Sequence, residues 1–173
     1  MLKRYLLSFI LLLTLFCACL GGGGDTYDGD ISDLMLATED LPSGYVLEIG
    51  RDIESSEMNE DLLDMGYVEG KVVYFTLSND ETIATIGQTA HRYDPDHIED
   101  VFEYIKSLQL ESDAEEIYNG TFGDDSFIRQ GSGYYAITFI EKDIVIYVFH
   151  NGILEEPDLE MLEGLAEELE GRI

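Results

Sequence analysis

The hydrophobic pattern divides the chain into one unbroken apolar run and a series of shorter periodic segments. The run is Tyr5 to Leu20, with Lys3 and Arg4 before it and Gly21 to Gly24 after it. Beyond it, Ile31 to Thr38 places Ile31, Leu34 and Met35 on one face and predicts a short helix. Leu41-Pro42-Ser43-Gly44-Tyr45 predicts a turn, because Pro42 presets φ and Gly44 tolerates positive φ. Tyr45 to Ile49 reads as a first strand. Arg51 to Asp64 is acidic and weakly periodic, either a short helix through Met58, Leu62 and Leu63 or a loop. Val72 to Leu77 and Ile83 to Arg92, separated by Ser78-Asn79-Asp80-Glu81, predict a hairpin.

Asp94 to Leu108 carries the clearest helical spacing of the first half, through Ile98, Val101, Phe102, Ile105 and Leu108. Asp94 suits the N-cap, Pro95 the first helical position, and Asp96 the positive end of the helix dipole. Glu111 to Arg129 reads as a connection. Gly133 to Phe139 and Ile144 to Phe149 then predict two strands around a turn at Glu141-Lys142-Asp143. The second is continuously apolar, as for a strand covered on both faces. Pro157 to Ile173 is an amphipathic helix with Leu159, Leu162, Leu165, Leu169 and Ile173 as its stripe. Strands, helix, strands, helix predicts an α+β fold: an antiparallel sheet of about five strands, with an amphipathic helix after each strand group and the helices mainly on one face.

The apolar run changes the picture from fold to address. A basic start, an apolar stretch and a small residue make an export signal. At 16 residues the run is shorter than the roughly 20 needed for an ordinary membrane-spanning helix. Ala18 precedes Cys19, whose thiol would become the lipid-attachment point, with the glycines as a flexible leash. The expected organisation is a signal peptide over 1–18, an attachment cysteine and Gly/Asp-rich linker over 19–30, and a single acidic domain over 31–173. Ala18-Cys19-Leu20-Gly21 resembles the lipobox of secreted lipoproteins, archaeal ones especially. Phe16 and Cys17 depart from the usual pattern. The alternative is an uncleaved signal anchor.

Composition narrows the partners. The chain has 37 acidic and 9 basic residues, and Lys3 and Arg4 lie in the leader. So acidic a surface repels nucleic acid and anionic lipid. It reads mainly as a solvating face. Both cysteines, Cys17 and Cys19, are in the leader, so the domain has no disulfide, thiol nucleophile or cysteine-based metal site.

The order Asp40-Leu41-Pro42-Ser43-Gly44-Tyr45, Gly123-Asp124-Asp125-Ser126-Phe127, a Tyr-rich hairpin and a terminal Leu-rich helix resembles extracytoplasmic sensor domains of bacterial Ser/Thr kinases and related lipoproteins. That resemblance implies binding of a ligand or partner rather than catalysis. Members of the sensor group often carry disulfides, which this domain lacks.

Candidate chemistry is sparse. His91, Asp94 and His97, with Asp96 and Asp100 nearby, offer a nitrogen and oxygen ligand set. The helix start explains Asp94 and Asp96 equally well, so no metal is assigned. Asp28, Asp30 and Glu39 match an EF-hand count, but Asp33 stands where that loop requires glycine. No G-x-S-x-G elbow or phosphate loop is present. Tyr134, Tyr135 and Tyr147 suit a ligand groove or cross-strand packing. Asn119-Gly120-Thr121 is a glycosylation sequon. The sequence therefore predicts no cofactor and no catalytic residue. It points to a membrane-anchored, extracytoplasmic binding or sensor lipoprotein at the cell surface, with an unidentified protein or small-molecule ligand. The competing classes are a surface enzyme built from dispersed His91, His97, His150 and carboxylates, and a structural envelope protein.

Overall fold

The computed structural model describes residues 25–79, 82–110, 114–119, 122–152 and 156–173. The leader, with Cys19, lies outside the described residues. Among those described, no helix is long and apolar enough to cross a membrane.

Seven strands form one antiparallel sheet: β1 (Val46–Asp52), β2 (Tyr67–Ser78), β3 (Ile83–Tyr93), β4 (Glu115–Asn119), β5 (Asp125–Gly131), β6 (Tyr134–Glu141) and β7 (Ile144–Gly152). Their spatial order is β1-β2-β3-β7-β6-β5-β4. Two meanders, β1 to β3 and β4 to β7, therefore join through the β3–β7 ladder, which runs from Ala84↔Gly152 to Arg92↔Ile144. Among the described residues, three α-helices accompany the sheet: α1 (Glu60–Asp64), α2 (Ile98–Leu110) and α3 (Leu159–Glu170).

The sheet has seven strands rather than about five. The two extra ones, β4 and β5, lie in the segment expected to be a connection. Glu115, Glu116 and Ile117 of β4 are all exposed at the sheet edge, so no buried face imposes an alternation. In β5 the adjacent Phe127 and Ile128 are both buried, because they serve opposite faces.

The helices also occupy both faces rather than mainly one. α3 buries Leu162, Leu165, Ala166 and Leu169 in the same cluster as Ile137, Phe139, Ile144, Ile146 and Val148. α2 buries Val101 and Phe102 in a second cluster with Tyr93, Phe127, Ile140 and Val145. The rings of Phe102 and Phe127 are 5.6 Å apart. Successive residues of β7 point to opposite faces, so this apolar strand supplies Ile144, Ile146 and Val148 to one cluster and Val145 to the other. Fully burying one such side chain stabilises by about 1.5–3 kcal/mol.

The start of α2 follows the sequence logic, whereas α3 begins at Leu159 rather than at Pro157, which lies before the cap. Asp94 accepts a hydrogen bond from the Asp96 backbone N–H at 3.0 Å, and Pro95 opens the turn that leads into α2. Asp158 accepts from the Met161 N–H at 3.0 Å and caps α3. The expected helix at Ile31 is instead a 3-10 turn over Ile31–Leu34, capped by Asp30. The segment that follows is fixed by Gln88, whose side-chain Oε1 accepts from the Leu36 N–H at 2.7 Å and whose Nε2 donates to the Leu34 carbonyl at 2.8 Å. The chain is tied to the domain from Tyr27 onward. The Tyr27 N–H donates to Asp143 Oδ1 at 2.7 Å, and Arg92 donates to the Gly29 carbonyl at 2.8 Å. Tyr27 and Gly29 are thus hydrogen-bonded to the body of the domain.

Candidate binding cavity

The α2 face of the sheet is covered only in part, and a cavity of about 230 Å³ opens between α2 and the strands. Its helix wall is Ile105, Leu108 and Gln109; Met58 and Leu62, before and within α1, form its rim. Its floor is Thr89, His91 and Tyr93 of β3, Thr138 of β6, and Val145 and Tyr147 of β7. None of these residues carries a carboxylate, ammonium or guanidinium group.

The walls are held by specific contacts. The Tyr104 hydroxyl of α2 donates to Asp61 at 2.7 Å and accepts from the Asn59 side chain at 3.0 Å, which ties α1 to α2. Arg129 donates to the Gln109 carbonyl at 3.2 Å and to the Tyr147 hydroxyl at 3.0 Å. Its guanidinium carbon lies 5.4 Å from the Tyr134 ring centre and 5.5 Å from that of Tyr147. The Thr138 hydroxyl donates to Gln109 Oε1 at 3.2 Å. The C-terminal end of α2 is thereby fixed to β5, β6 and β7. Burial raises the affinity of the Tyr147 phenol for its proton, so this wall stays neutral.

The floor is different. Thr89, His91 and Tyr93 alternate along β3, so their side chains share the α2 face. None of the three side chains has a hydrogen-bond partner among the described residues, and His91 Nδ1 is fully buried. The His91 ring lies 5.9 Å from that of Tyr67 and 6.3 Å from that of Tyr93. The Tyr67 hydroxyl is already donating to the Ile53 carbonyl at 3.1 Å. Opposite His91 in the β2–β3 ladder stands Gly70, where a Cβ would come within 2.8 Å of Nδ1. A side chain at this position would displace the imidazole or the Tyr67 hydroxyl. Desolvation pushes the His91 pKa down to about 4, so the ring is neutral near pH 7.

The candidate residues from sequence are thus dispersed. His91 lies in the cavity, whereas Asp94 and Asp96 are exposed at the helix start and His97 is exposed in the same turn. Among the described residues no group of three or more His, Cys, Asp or Glu is placed to hold a metal. His150 belongs to the other face. Its Nδ1 accepts from the Asp158 N–H at 2.9 Å, and its Nε2 meets the Tyr45 hydroxyl at 3.2 Å. Asp124 and Asp125 accept from the backbone N–H groups of Lys142 and Ser126. Of the three tyrosines singled out, Tyr147 lines the cavity and Tyr134 holds Arg129, while Tyr135 packs against the α3-side core. Asn119 is the last residue of β4; Gly120 and Thr121 lie outside the described residues.

The fold is shared with the extracellular domain of the protein PknH from Mycobacterium tuberculosis, whose crystal structure superposes with a TM-score of 0.61. The match covers 87% of this chain and 98% of that domain, at 9% sequence identity. No family model and no curated protein sequence matches the chain.

Proposed function

We propose that the protein is an exported, membrane-tethered binding domain with a sensor or accessory role, and that the cavity beneath α2 is its ligand site. The observation that carries this reading is the floor of the cavity: three polar side chains in a row on β3 that have no hydrogen-bond partner among the described residues, one of them with a buried nitrogen, His91 Nδ1, beside a mostly apolar wall. Buried polar groups in folded proteins are overwhelmingly paired. A concave, mostly apolar site with a few convergent polar groups is the usual form of a small-molecule pocket. The likeness to an extracellular domain and the export-type leader ending at Cys19 support an outer-surface location. The separation of His91, His97 and His150 favours binding over a hydrolytic or metal-dependent reaction.

Tethering is tested by intact mass and membrane partitioning of the natively expressed protein beside Cys19→Ser. The expected result is a lipid-sized mass increment that the variant loses, together with release of the variant from the membrane. A wild type without added lipid and a variant that stays membrane-bound would replace the lipid anchor with an uncleaved apolar anchor.

A further inference from the structure

The composition of the cavity restricts what it accepts. More than a quarter of the chain is charged, yet none of the cavity's lining residues is. Behind the wall, the Arg129 guanidinium donates through its terminal nitrogens to the Tyr147 hydroxyl and the Gln109 carbonyl, while its buried Nε has no hydrogen-bond partner among the described residues. A cationic guest would lose its hydration with no carboxylate in the lining to replace it, and an anionic one would meet an Arg129 guanidinium whose terminal nitrogens are already engaged by Tyr147 and Gln109, a costly exchange in an apolar setting. A wholly apolar guest would leave the β3 row unpaired. In size, a closed apolar cavity of about 150 Å³ accommodates benzene, and this one is about 230 Å³.

We infer that the cavity takes an uncharged molecule built around a single ring or a chain of similar bulk, with its apolar body against Ile105, Leu108 and Val145 and a hydroxyl, carbonyl or amide turned toward Thr89, His91 and Tyr93. This inference rests on the reading of the cavity as a ligand site. With Nδ1 buried beside Gly70, the His91 imidazole can meet a guest only through Nε2, which donates or accepts according to the tautomer. The Thr89 and Tyr93 hydroxyls add a donor and an acceptor each. The row can therefore satisfy either end of a small polar group. It discriminates by the absence of charge and by the presence of one polar function.

The test uses three isosteric probes: benzyl alcohol, benzoate and benzylammonium. Each is titrated into the full-length protein in lipid nanodiscs near pH 7, with empty nanodiscs correcting for partitioning. Side-chain NMR signals of Thr89, His91 and Tyr93 provide the readout. Benzyl alcohol is expected to shift these signals saturably, and the two charged probes to bind at least tenfold more weakly. The isosteric Thr89→Val and, independently, His91→Phe are expected to weaken benzyl alcohol roughly tenfold, with near-ultraviolet circular dichroism confirming the fold. Binding of either charged probe as tightly as the alcohol would overturn the inferred class and leave the site standing. Undiminished alcohol binding in folded Thr89→Val would overturn the role of the polar row. Failure of all three probes to shift the row would overturn the cavity as a ligand site.

Discussion

Acidification should destabilise the domain through His91, and the size of the effect follows from its environment. The ring packs against Tyr67 and Tyr93, and its buried Nδ1 has no hydrogen-bond partner among the described residues. Its pKa falls from the usual 6.5 to about 4 because burial disfavours the imidazolium. The unfolded chain therefore takes up a proton first as the pH drops. Between these two values it holds more protons than the native state, so stability declines with falling pH. One pKa unit corresponds to about 1.4 kcal/mol, which gives a loss of about 2 kcal/mol between pH 7 and pH 5. The contribution is fully present above pH 6.5 and is exhausted below about pH 4. The assay is urea unfolding of wild type and His91→Leu at half-unit pH steps, followed by circular dichroism. Carboxylates and the other two histidines titrate in both proteins and cancel in the difference. Parallel pH profiles for the two proteins would refute the argument, because they would mean that the native imidazole protonates as freely as in water.

Other perturbations test the frame around the cavity. Gln88→Leu should cost about 1–3 kcal/mol in urea unfolding, because it strands the buried Leu36 N–H and Leu34 carbonyl. Leu169→Ala removes a fully buried side chain from the α3 core and should cost about 2–5 kcal/mol in the same assay. Gly87→Val should unseat the ring contact between Tyr74 and Phe149, since a Cβ at that position would come within 2.3 Å of Phe149 and 2.7 Å of Tyr74. The readout is loss of near-ultraviolet circular dichroism with little change in the far-ultraviolet spectrum.

The parts of the fold legible in the sequence are those where one physical demand dominates. β7 is apolar throughout because both its faces are covered. α2 and α3 announce themselves by spacing, and α2 also by its cap, Asp94. β4 escapes notice because an exposed edge strand needs no alternation, and β5 because Phe127 and Ile128 serve different faces in succession. Placement of the helices on both faces was within reach: a strand as uniformly apolar as β7 requires cover on each side. The clamp by Gln88 had no sequence signal, since it joins residues 52 and 54 positions apart. His91 is visible as a histidine, but its sequence neighbours Asp94 and His97 suggest a ligand set instead. The alternation Thr89-His91-Tyr93 was the usable clue, for it places three polar groups on one face of a strand. What makes that row a candidate site is the absence of partners, which only the assembled sheet and α2 reveal.

The most direct test of the central claim is to locate where a neutral guest binds. Chemical shifts are mapped over the whole protein during titration with benzyl alcohol. The expected result is saturable changes confined to the β3 row and to Ile105, Leu108, Val145 and Tyr147. Changes scattered over the surface, or centred on the α3 face around His150, would contradict it.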